Sequence, residues 1–296
     1  MNRLMGFVFA PGFFENAQVL NALWMGGIVA VLSGVMGVFV VLRGQSFAGH
    51  AISDFGGAGA AITFLFGVNT LWGFLIFGLL SAMGVEAIGN QAKERDIATG
   101  IVLSVALGLE SLFLFLDTSF TGQASAPMMI LFGSVFLINT ATMPVLAVLT
   151  LAAAVTLSII FRPLLFSSID SELAMTHSIP VRLIRFIFII LMALVVEESS
   201  LVIGALLSTA LLIGPAATAM RLTKKIGYAM LCAAILGMFS MWAGIVLAYD
   251  SFHWPPFGRG WPVSFFVCIL ILVSYLLTRL PHGHIFKPSK GEVAHA

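Results

Sequence analysis

The chain has 296 residues, of which 60% are hydrophobic and only 9% are charged. A soluble globular protein typically carries about 25% charged residues, so a water-soluble core cannot absorb this much apolar surface. The formal net charge is +1 and no block of lysine and arginine residues occurs, which argues against a nucleic-acid partner.

The N-terminal segment, residues 1–18, contains Arg3 and a short apolar stretch that Pro11 interrupts. No small-residue cleavage site follows, so we interpret it as an interfacial segment and not as a signal peptide. Windows of about 20 apolar residues predict nine membrane spans within the helical bundle, residues 19–280. The predicted spans are Val19–Leu42, Ala51–Gly67, Leu71–Ile88, Ile97–Leu116, Thr140–Phe161, Leu183–Ser199, Leu201–Ala219, Ile226–Ala248 and Pro262–Leu280. A polar tail, residues 281–296, completes a single transmembrane domain over residues 1–296.

Two segments leave the number of spans open between eight and nine. The apolar piece Met128–Ile138 is too short to cross a bilayer, and it either re-enters the membrane or lies at the interface. Only Glu197, Glu198, Ser199 and Ser200 separate the sixth span from the seventh, which requires a very tight loop. We therefore predict an all-α integral membrane protein, a polytopic bundle of eight or nine helices.

The basic residues collect in alternate loops, as the positive-inside rule predicts for a multi-pass protein of the cell membrane. On one side lie Arg43, Lys93, Arg95, Arg162, Arg182, Arg185, Arg221, Lys224, Lys225, Arg279, Lys287 and Lys290. Only Arg3 and Arg259 fall on the other side. This asymmetry predicts an N-terminus outside the cell and a C-terminal tail in the cytoplasm.

His50 and Asp54 are the best candidates for chemistry inside the membrane, where ionisable side chains are costly and usually face a bundle interior or a polar cavity. They lie four residues apart, on one helical face, early in the second span. This imidazole and carboxylate either bind one divalent ion side by side or hydrogen-bond to each other. A closed structural zinc site usually takes four ligands, so two ligands suit a site that a metal passes through.

Three further acids lie in or beside predicted spans. Glu110 faces a pathway, another helix or the membrane interface, and a structural role is the simpler interpretation. Glu197 and Glu198 either collect cations at the mouth of a pathway or mark the turn between two spans. We favour the turn.

The longest cytoplasmic loop, Arg162–Arg185, contains Asp170, Glu172 and a segment that fits a short surface helix before Ile179 and Pro180. On the residues alone, this loop is either a solvated connector or a docking element for another subunit.

Motifs for chemistry within the chain are missing from the sequence. It contains no G-x-x-x-x-G-K-[ST] phosphate loop, no H-E-x-x-H pair and no G-x-S-x-G nucleophile elbow. Cys232 and Cys268 lie in apolar runs, where we expect small buried hydrophobic side chains. We therefore expect no enzymatic activity and no bound cofactor, and energy for active transport must come from another subunit.

Four segments together resemble the permease family of ABC importers for zinc, manganese and iron. They occur in the family's order and cover roughly residues 20–280: Leu42–Phe47, Asp96–Val102, Asp170–Val181 and Gly204–Ala219. The resemblance implies a homodimer with the translocation path along the dimer axis. It also implies two separate cytoplasmic ATP-binding subunits, an extracytoplasmic metal-binding protein and a divalent metal ion as the transported substrate.

The resemblance also implies roles for particular residues. The loop with Asp170, Glu172, Ala174, Ile179 and Pro180 is similar to the coupling helix that docks into the ATPase. His50 and Asp54 match the positions of a family Asp and His that are implicated in metal passage. In this chain the order of the two is reversed, Ala58-Gly59 replaces a usual Pro–Gly, and Ser178 replaces a usual Gly.

Two other functions would use the same residues. An ion-coupled secondary carrier would employ His50, Asp54 and Glu110 as a proton relay and would need no ATPase. A membrane-embedded metalloenzyme would need a third strong ligand and a base near the His–Asp pair. The ABC permease is the function that we expect.

Overall fold

The computed structural model describes residues 13–88, 92–121, 126–133, 135–137, 140–177, 179–255 and 260–279, and within them there are helices and no strands. The predictions for the first twelve residues and for the tail 281–296 lie outside the described residues.

Eleven α-helices make up the described part of the chain. They are α1 (Ala17–Leu42), α2 (Ser46–Leu65), α3 (Thr70–Ile88), α4 (Ala92–Leu116), α5 (Ala126–Phe132), α6 (Met143–Ile169), α7 (Ser171–Thr176), α8 (Val181–Ile203), α9 (Ala205–Leu222), α10 (Ile226–Asp250) and α11 (Val263–Leu277). A π-helical turn, Asp117–Thr121, follows α4, and short 3-10 turns lie at Val135–Leu137 and Ser251–His253.

Each of the nine predicted spans overlaps mainly with one helix of 15 residues or more, and the additional helices α5 and α7 are shorter. Seven of the described helices are long and apolar enough to cross a membrane. Helix α2, which carries His50, Asp54 and several glycines, is not among these seven, and α11 has only 15 residues. The all-α prediction is confirmed, whereas the number of spans and the orientation of the termini stay predictions.

Helices α1 and α8 lie at the centre of the bundle. In the most apolar windows of these helices, 67% and 72% of the residues are buried, against 17% in the window of α4. Helix α1 packs against α8, α9 and α10, and α2 packs against α3, α4, α8 and α9. Small residues allow the close approach, since a methyl group at Gly37 would overlap the carbonyl oxygen of Leu212. The core is therefore built around the helices that flank α2.

The turn between α8 and α9 lies at Gly204, beyond the position that the sequence predicted. Helix α8 continues through Glu197 and Glu198 to Ile203, so the expectation that these glutamates mark the turn is wrong. The two serines of the polar run are compatible with the helix, because Ser199 and Ser200 each donate a hydrogen bond to a carbonyl one turn earlier. Both glutamates are about 1% exposed.

The described part of the predicted short piece Met128–Ile138 packs over this turn. It contains the end of α5 and the 3-10 turn, and α5 contacts α2, α8 and α9. At Gly204 a methyl group would overlap the carbonyl of Leu131. Whether the piece re-enters the membrane stays a prediction.

Replacing Gly204 by alanine should destabilise the bundle. The residue has φ of 94° and ψ of 152°, a conformation that L side chains rarely adopt, and it also contacts α5. We expect Gly204→Ala to cost about 2–3 kcal/mol. Gly67→Ala is the matched control, because Gly67 has φ of 68° with nothing within 4 Å of an added methyl group. It should cost about 1 kcal/mol. Thermal unfolding of the purified protein in detergent measures both, and equal losses would contradict the contribution of the α5 contact.

Candidate metal-contact site

His50 and Asp54 lie side by side one turn into α2. The distance from His50 Nε2 to Asp54 Oδ2 is 3.6 Å, which is longer than a hydrogen bond. The His50 side chain is 37% exposed, whereas the Asp54 side chain is fully buried. Both Asp54 carboxylate oxygens and His50 Nδ1 lack a hydrogen-bond partner within the described residues. The pair therefore has three polar atoms without a hydrogen-bond partner among the described residues, and only its imidazole is accessible from outside.

Ser53 fixes the rotation of α2 about its axis. Its hydroxyl hydrogen-bonds to the hydroxyls of Ser200 at 2.9 Å and Ser208 at 2.6 Å, and to the carbonyl of Ala205 at 2.6 Å. All of these groups are buried where α8 meets α9. Because Ser53 precedes Asp54 directly, this contact sets the direction in which the aspartate projects. The role of Ser53 was missed in the sequence, where a single serine carries no such signal.

Glu197 enters the bundle interior between two glycines. A methyl group at Gly56 of α2 or at Gly78 of α3 would overlap the Glu197 carboxylate, and one at Gly57 would overlap that of Glu110. Neither Glu197 oxygen has a hydrogen-bond partner in the described part of the chain, and the same holds for Glu110 Oε1. Glycines on α2 and α3 thus make room for acids that come from α4 and α8.

Asp54, Glu110 and Glu197 form one acidic group across three helices. Gly56 and Gly57, which follow Asp54 closely on α2, lie against the carboxylates of Glu197 and Glu110. All three side chains are 3% exposed or less. Bringing three carboxylates together away from water is unfavourable unless a cation or protons accompany them. The structure brings together acids that the sequence placed in separate spans.

Glu198 projects away from this group, although it follows Glu197 directly. Its Oε2 accepts a hydrogen bond of 2.8 Å from the hydroxyl of Thr150 on α6. Successive residues of a helix point about 100° apart, so these two glutamates face different neighbours. Glu198 therefore joins α8 to α6.

A single described chain does not assemble a complete metal site. No group of three or more His, Cys, Asp or Glu residues within the described ranges could hold a metal ion. Cys232 and Cys268 are free and half-buried on α10 and α11, away from the His–Asp pair in the fold.

The loop after α6 contains the short helix that the sequence predicted. Asp170 caps it, accepting hydrogen bonds from the amides of Glu172 at 3.0 Å and Leu173 at 2.9 Å. Ala174 is fully buried, and its carbonyl accepts a bond of 3.2 Å from the Ile179 amide. Pro180 then precedes α8. Helix α7 therefore has a fixed inner side and an outer side that exposes Glu172, Leu173 and Met175.

Long apolar helices around a partly exposed His–Asp pair, with a short helix in an end loop, define a multi-pass helical membrane transport protein. The model of the ABC 3 transport family matches residues 15–275, and the chain belongs to this family. It is thus a membrane-spanning permease of an ABC transporter, and the resemblance seen in the sequence is confirmed.

Known proteins of the same kind cover most of the chain. A manganese transport system membrane protein, MntC of Listeria innocua, is 30% identical over 82% of this chain and 85% of its own length. The manganese import system permease protein ScaB of Streptococcus gordonii is 30% identical over 91% and 94%. In the structure of PsaBC from Streptococcus pneumoniae in complex with Fab, one chain superimposes with a TM-score of 0.74 at 26% identity, covering 90% of this chain and 92% of that one. The expected cell-membrane location is confirmed by the family.

Proposed function

We propose that the chain imports divalent manganese as the permease of an ABC transporter, with ATP hydrolysed by separate cytoplasmic subunits. The related permeases from Listeria and Streptococcus are named for manganese transport or import. The observation that carries the proposal is the buried Asp54 carboxylate, which has no hydrogen-bond partner among the described residues and lies beside the accessible His50.

The ligand types are compatible with manganese, and the names of the related permeases favour it among the three metals of the family. Carboxylate oxygens suit Mn²⁺, while thiolates select softer ions. The pair combines one carboxylate with one imidazole, and the two cysteines lie on other helices. A hard, weakly held ion fits a two-ligand site better than a tightly coordinated zinc ion does.

A second copy of the chain would complete the coordination. Two copies facing one another across a dimer axis would offer two His50 and two Asp54 side chains to one ion. Four ligands approach the number that holds a metal, whereas the pair in one copy releases it readily. Transient binding of this kind is what passage requires.

We propose that Glu110 and Glu197 contribute to the same pathway from buried positions in the bundle interior. Their carboxylates lie against Gly56 and Gly57, two and three residues after Asp54, which places both acids beside the metal-contact helix. Glu198, held by Thr150, is proposed to stabilise the contact between α8 and α6 and to lie outside the pathway.

Helix α7 is proposed to dock into the ATP-binding subunit. Its exposed residues Glu172, Leu173 and Met175 offer one charged and two apolar side chains, while Asp170 caps the helix and Ala174 is buried beneath it. A metal-binding protein on the outer side would deliver the ion.

Reconstitution tests this function against the secondary carrier. Proteoliposomes with the permease, its ATP-binding subunits and its metal-binding protein should accumulate Mn²⁺ only when ATP is supplied. Vesicles that contain the permease alone should accumulate none, with or without a proton gradient. Gradient-driven uptake by the permease alone would refute the proposal and support the carrier.

Metal competition tests the choice of ion in the same vesicles. Excess unlabelled Mn²⁺ should suppress uptake of radioactive Mn²⁺, while an equal excess of Mg²⁺ should not. If Zn²⁺ is itself accumulated faster than Mn²⁺, the assignment of manganese is wrong and zinc is the substrate.

A further inference from the structure

Helix α7 is joined rigidly to the last turn of α6. Helix α6 ends at Ile169 and α7 begins at Ser171, with Asp170 as the only residue between them. The rings of Phe166 and His177 pack edge to face, with centroids 5.5 Å apart, so the far end of α7 is also attached to α6. A displacement of α7 therefore moves the end of α6 with it.

Pro163 allows this piece to move relative to the rest of α6. It lies inside the helix, where proline removes a backbone hydrogen bond and favours a kink. The residues after it, 164–177, comprise the last six residues of α6, the Asp170 cap, the whole of α7 and His177. We call this segment the coupling piece.

Arg43 binds the coupling piece from the end of α1. Its Nη1 donates hydrogen bonds to the hydroxyls of Ser168 at 3.1 Å and Ser167 at 3.5 Å. Both hydroxyls donate their own hydrogen to the Leu164 carbonyl, so their lone pairs are available to accept from the guanidinium. Hydrogen bonds from a charged donor are stronger than neutral ones. The Arg43 guanidinium also lies over the Phe188 ring of α8, 5.0 Å from its centroid.

Arg43 is connected to the metal-contact helix by a tight turn. The Gln45 amide donates to the Val40 carbonyl at 2.9 Å, and Gly44 adopts φ of 65°. Helix α2 begins at the next residue, and His50 follows about one turn later. Because this turn is so short, Arg43 and the first residue of α2 can move only slightly relative to each other.

We propose that Arg43 is a positioning residue that transmits movement of the coupling piece to α2, and thereby aligns His50 and Asp54 with the ATPase cycle. This inference rests on the proposed function, because it takes α7 as the docking helix and the His–Asp pair as the metal contact. The arginine bonds join the coupling piece to the turn before α2 through charged hydrogen bonds.

Variants in the assembled transporter test the link. Arg43→Gln removes the charged donor, Arg43→Lys keeps a donor, and Arg221→Gln is the matched control. Arg221 also lies over an aromatic ring, but its hydrogen bond goes to Tyr275 of α11 and not to the coupling piece. The quantity to measure in proteoliposomes is Mn²⁺ taken up per ATP hydrolysed.

Arg43→Gln should hydrolyse ATP at the wild-type rate and take up at least about tenfold less Mn²⁺ per ATP. Arg43→Lys should recover part of the loss, and Arg221→Gln should match wild type. A merely structural role would instead lower hydrolysis, uptake and thermal stability together, and that outcome would overturn the proposal. Wild-type coupling in Arg43→Gln would overturn it as well.

A distance measurement separates failure of this link from failure of the proposed function. Spin labels at Phe47 and Ile169, both exposed, report the separation of α2 and the coupling piece in the complex with its ATP-binding subunits. In otherwise wild-type protein the distribution should stay narrow when a non-hydrolysable ATP analogue binds, and in Arg43→Gln it should broaden. If wild type transports no Mn²⁺, the proposed function fails; if the two distance distributions are the same, the link fails.

Discussion

Asp54→Asn should reduce Mn²⁺ uptake by at least about 100-fold, the largest effect that we expect from one side chain. The amide has nearly the same volume as the carboxylate, so packing around this fully buried position is retained. What disappears is the negative charge, and with it one of the two ligands that each copy offers. The initial rate of ATP-driven Mn²⁺ uptake into proteoliposomes measures the effect.

Glu15→Gln is the control for this substitution. It removes the same charge from an exposed carboxylate in the turn before α1, next to the Asn16 cap and distant in the chain from the His–Asp pair. Uptake should stay at the wild-type level, and both variants should assemble with the ATP-binding subunits as judged by gel filtration. Wild-type uptake by Asp54→Asn would remove Asp54 from the pathway while leaving the family assignment intact.

Gly78→Ala should destabilise the permease by about 2–3 kcal/mol, because the new methyl group would overlap the Glu197 carboxylate. Glu197 is almost completely buried and cannot swing into water. The helices α3 and α8 would have to separate, or the acid would have to move towards α2, where Gly56 lies against the same carboxylate. Thermal unfolding in detergent measures the loss.

Gly84→Ala on the same helix provides the comparison. Nothing lies within 4 Å of a methyl group at Gly84, so the variant should be as stable as wild type or gain up to about 1 kcal/mol from helix propensity. Shortening the acid as well, in Gly78→Ala with Glu197→Ala, should recover much of the loss, because the two side chains compete for one space. Equal stability of Gly78→Ala and Gly84→Ala would contradict the packing described here.

The sequence predicted the long helices because lipid selects apolar runs of sufficient length, and this pattern is local. It misplaced the α8–α9 turn because Glu197 to Ser200 look like a loop when only neighbours along the chain are considered. In the structure Ser199 bonds to the hydroxyl of Ser33 at 2.6 Å, and Glu198 bonds to Thr150. These partners are distant in sequence, so the sequence alone did not indicate that a polar run could be buried within a helix.

The candidate site was predictable to the extent that it is local. His50 and Asp54 are one turn apart in a single helix, and the fold keeps them on one face. The placement of Glu197 between Gly56 and Gly78 depends on how α2, α3 and α8 pack against one another. Small residues indicated that a helix would approach α2 closely, but composition does not specify which side chain enters the gap. The hydrogen bond between Arg43 and Ser168 could not be predicted from the sequence either, because it also depends on how the helices pack.

Electron paramagnetic resonance of Mn²⁺ bound to the assembled complex tests the central claim most directly. The proposed pathway places a histidine nitrogen on the ion, so the spectrum of the wild-type complex should show nitrogen hyperfine coupling. His50→Gln should abolish the coupling without preventing assembly. A wild-type spectrum without nitrogen coupling, or coupling that persists in His50→Gln, would contradict passage of the metal ion along His50 and Asp54.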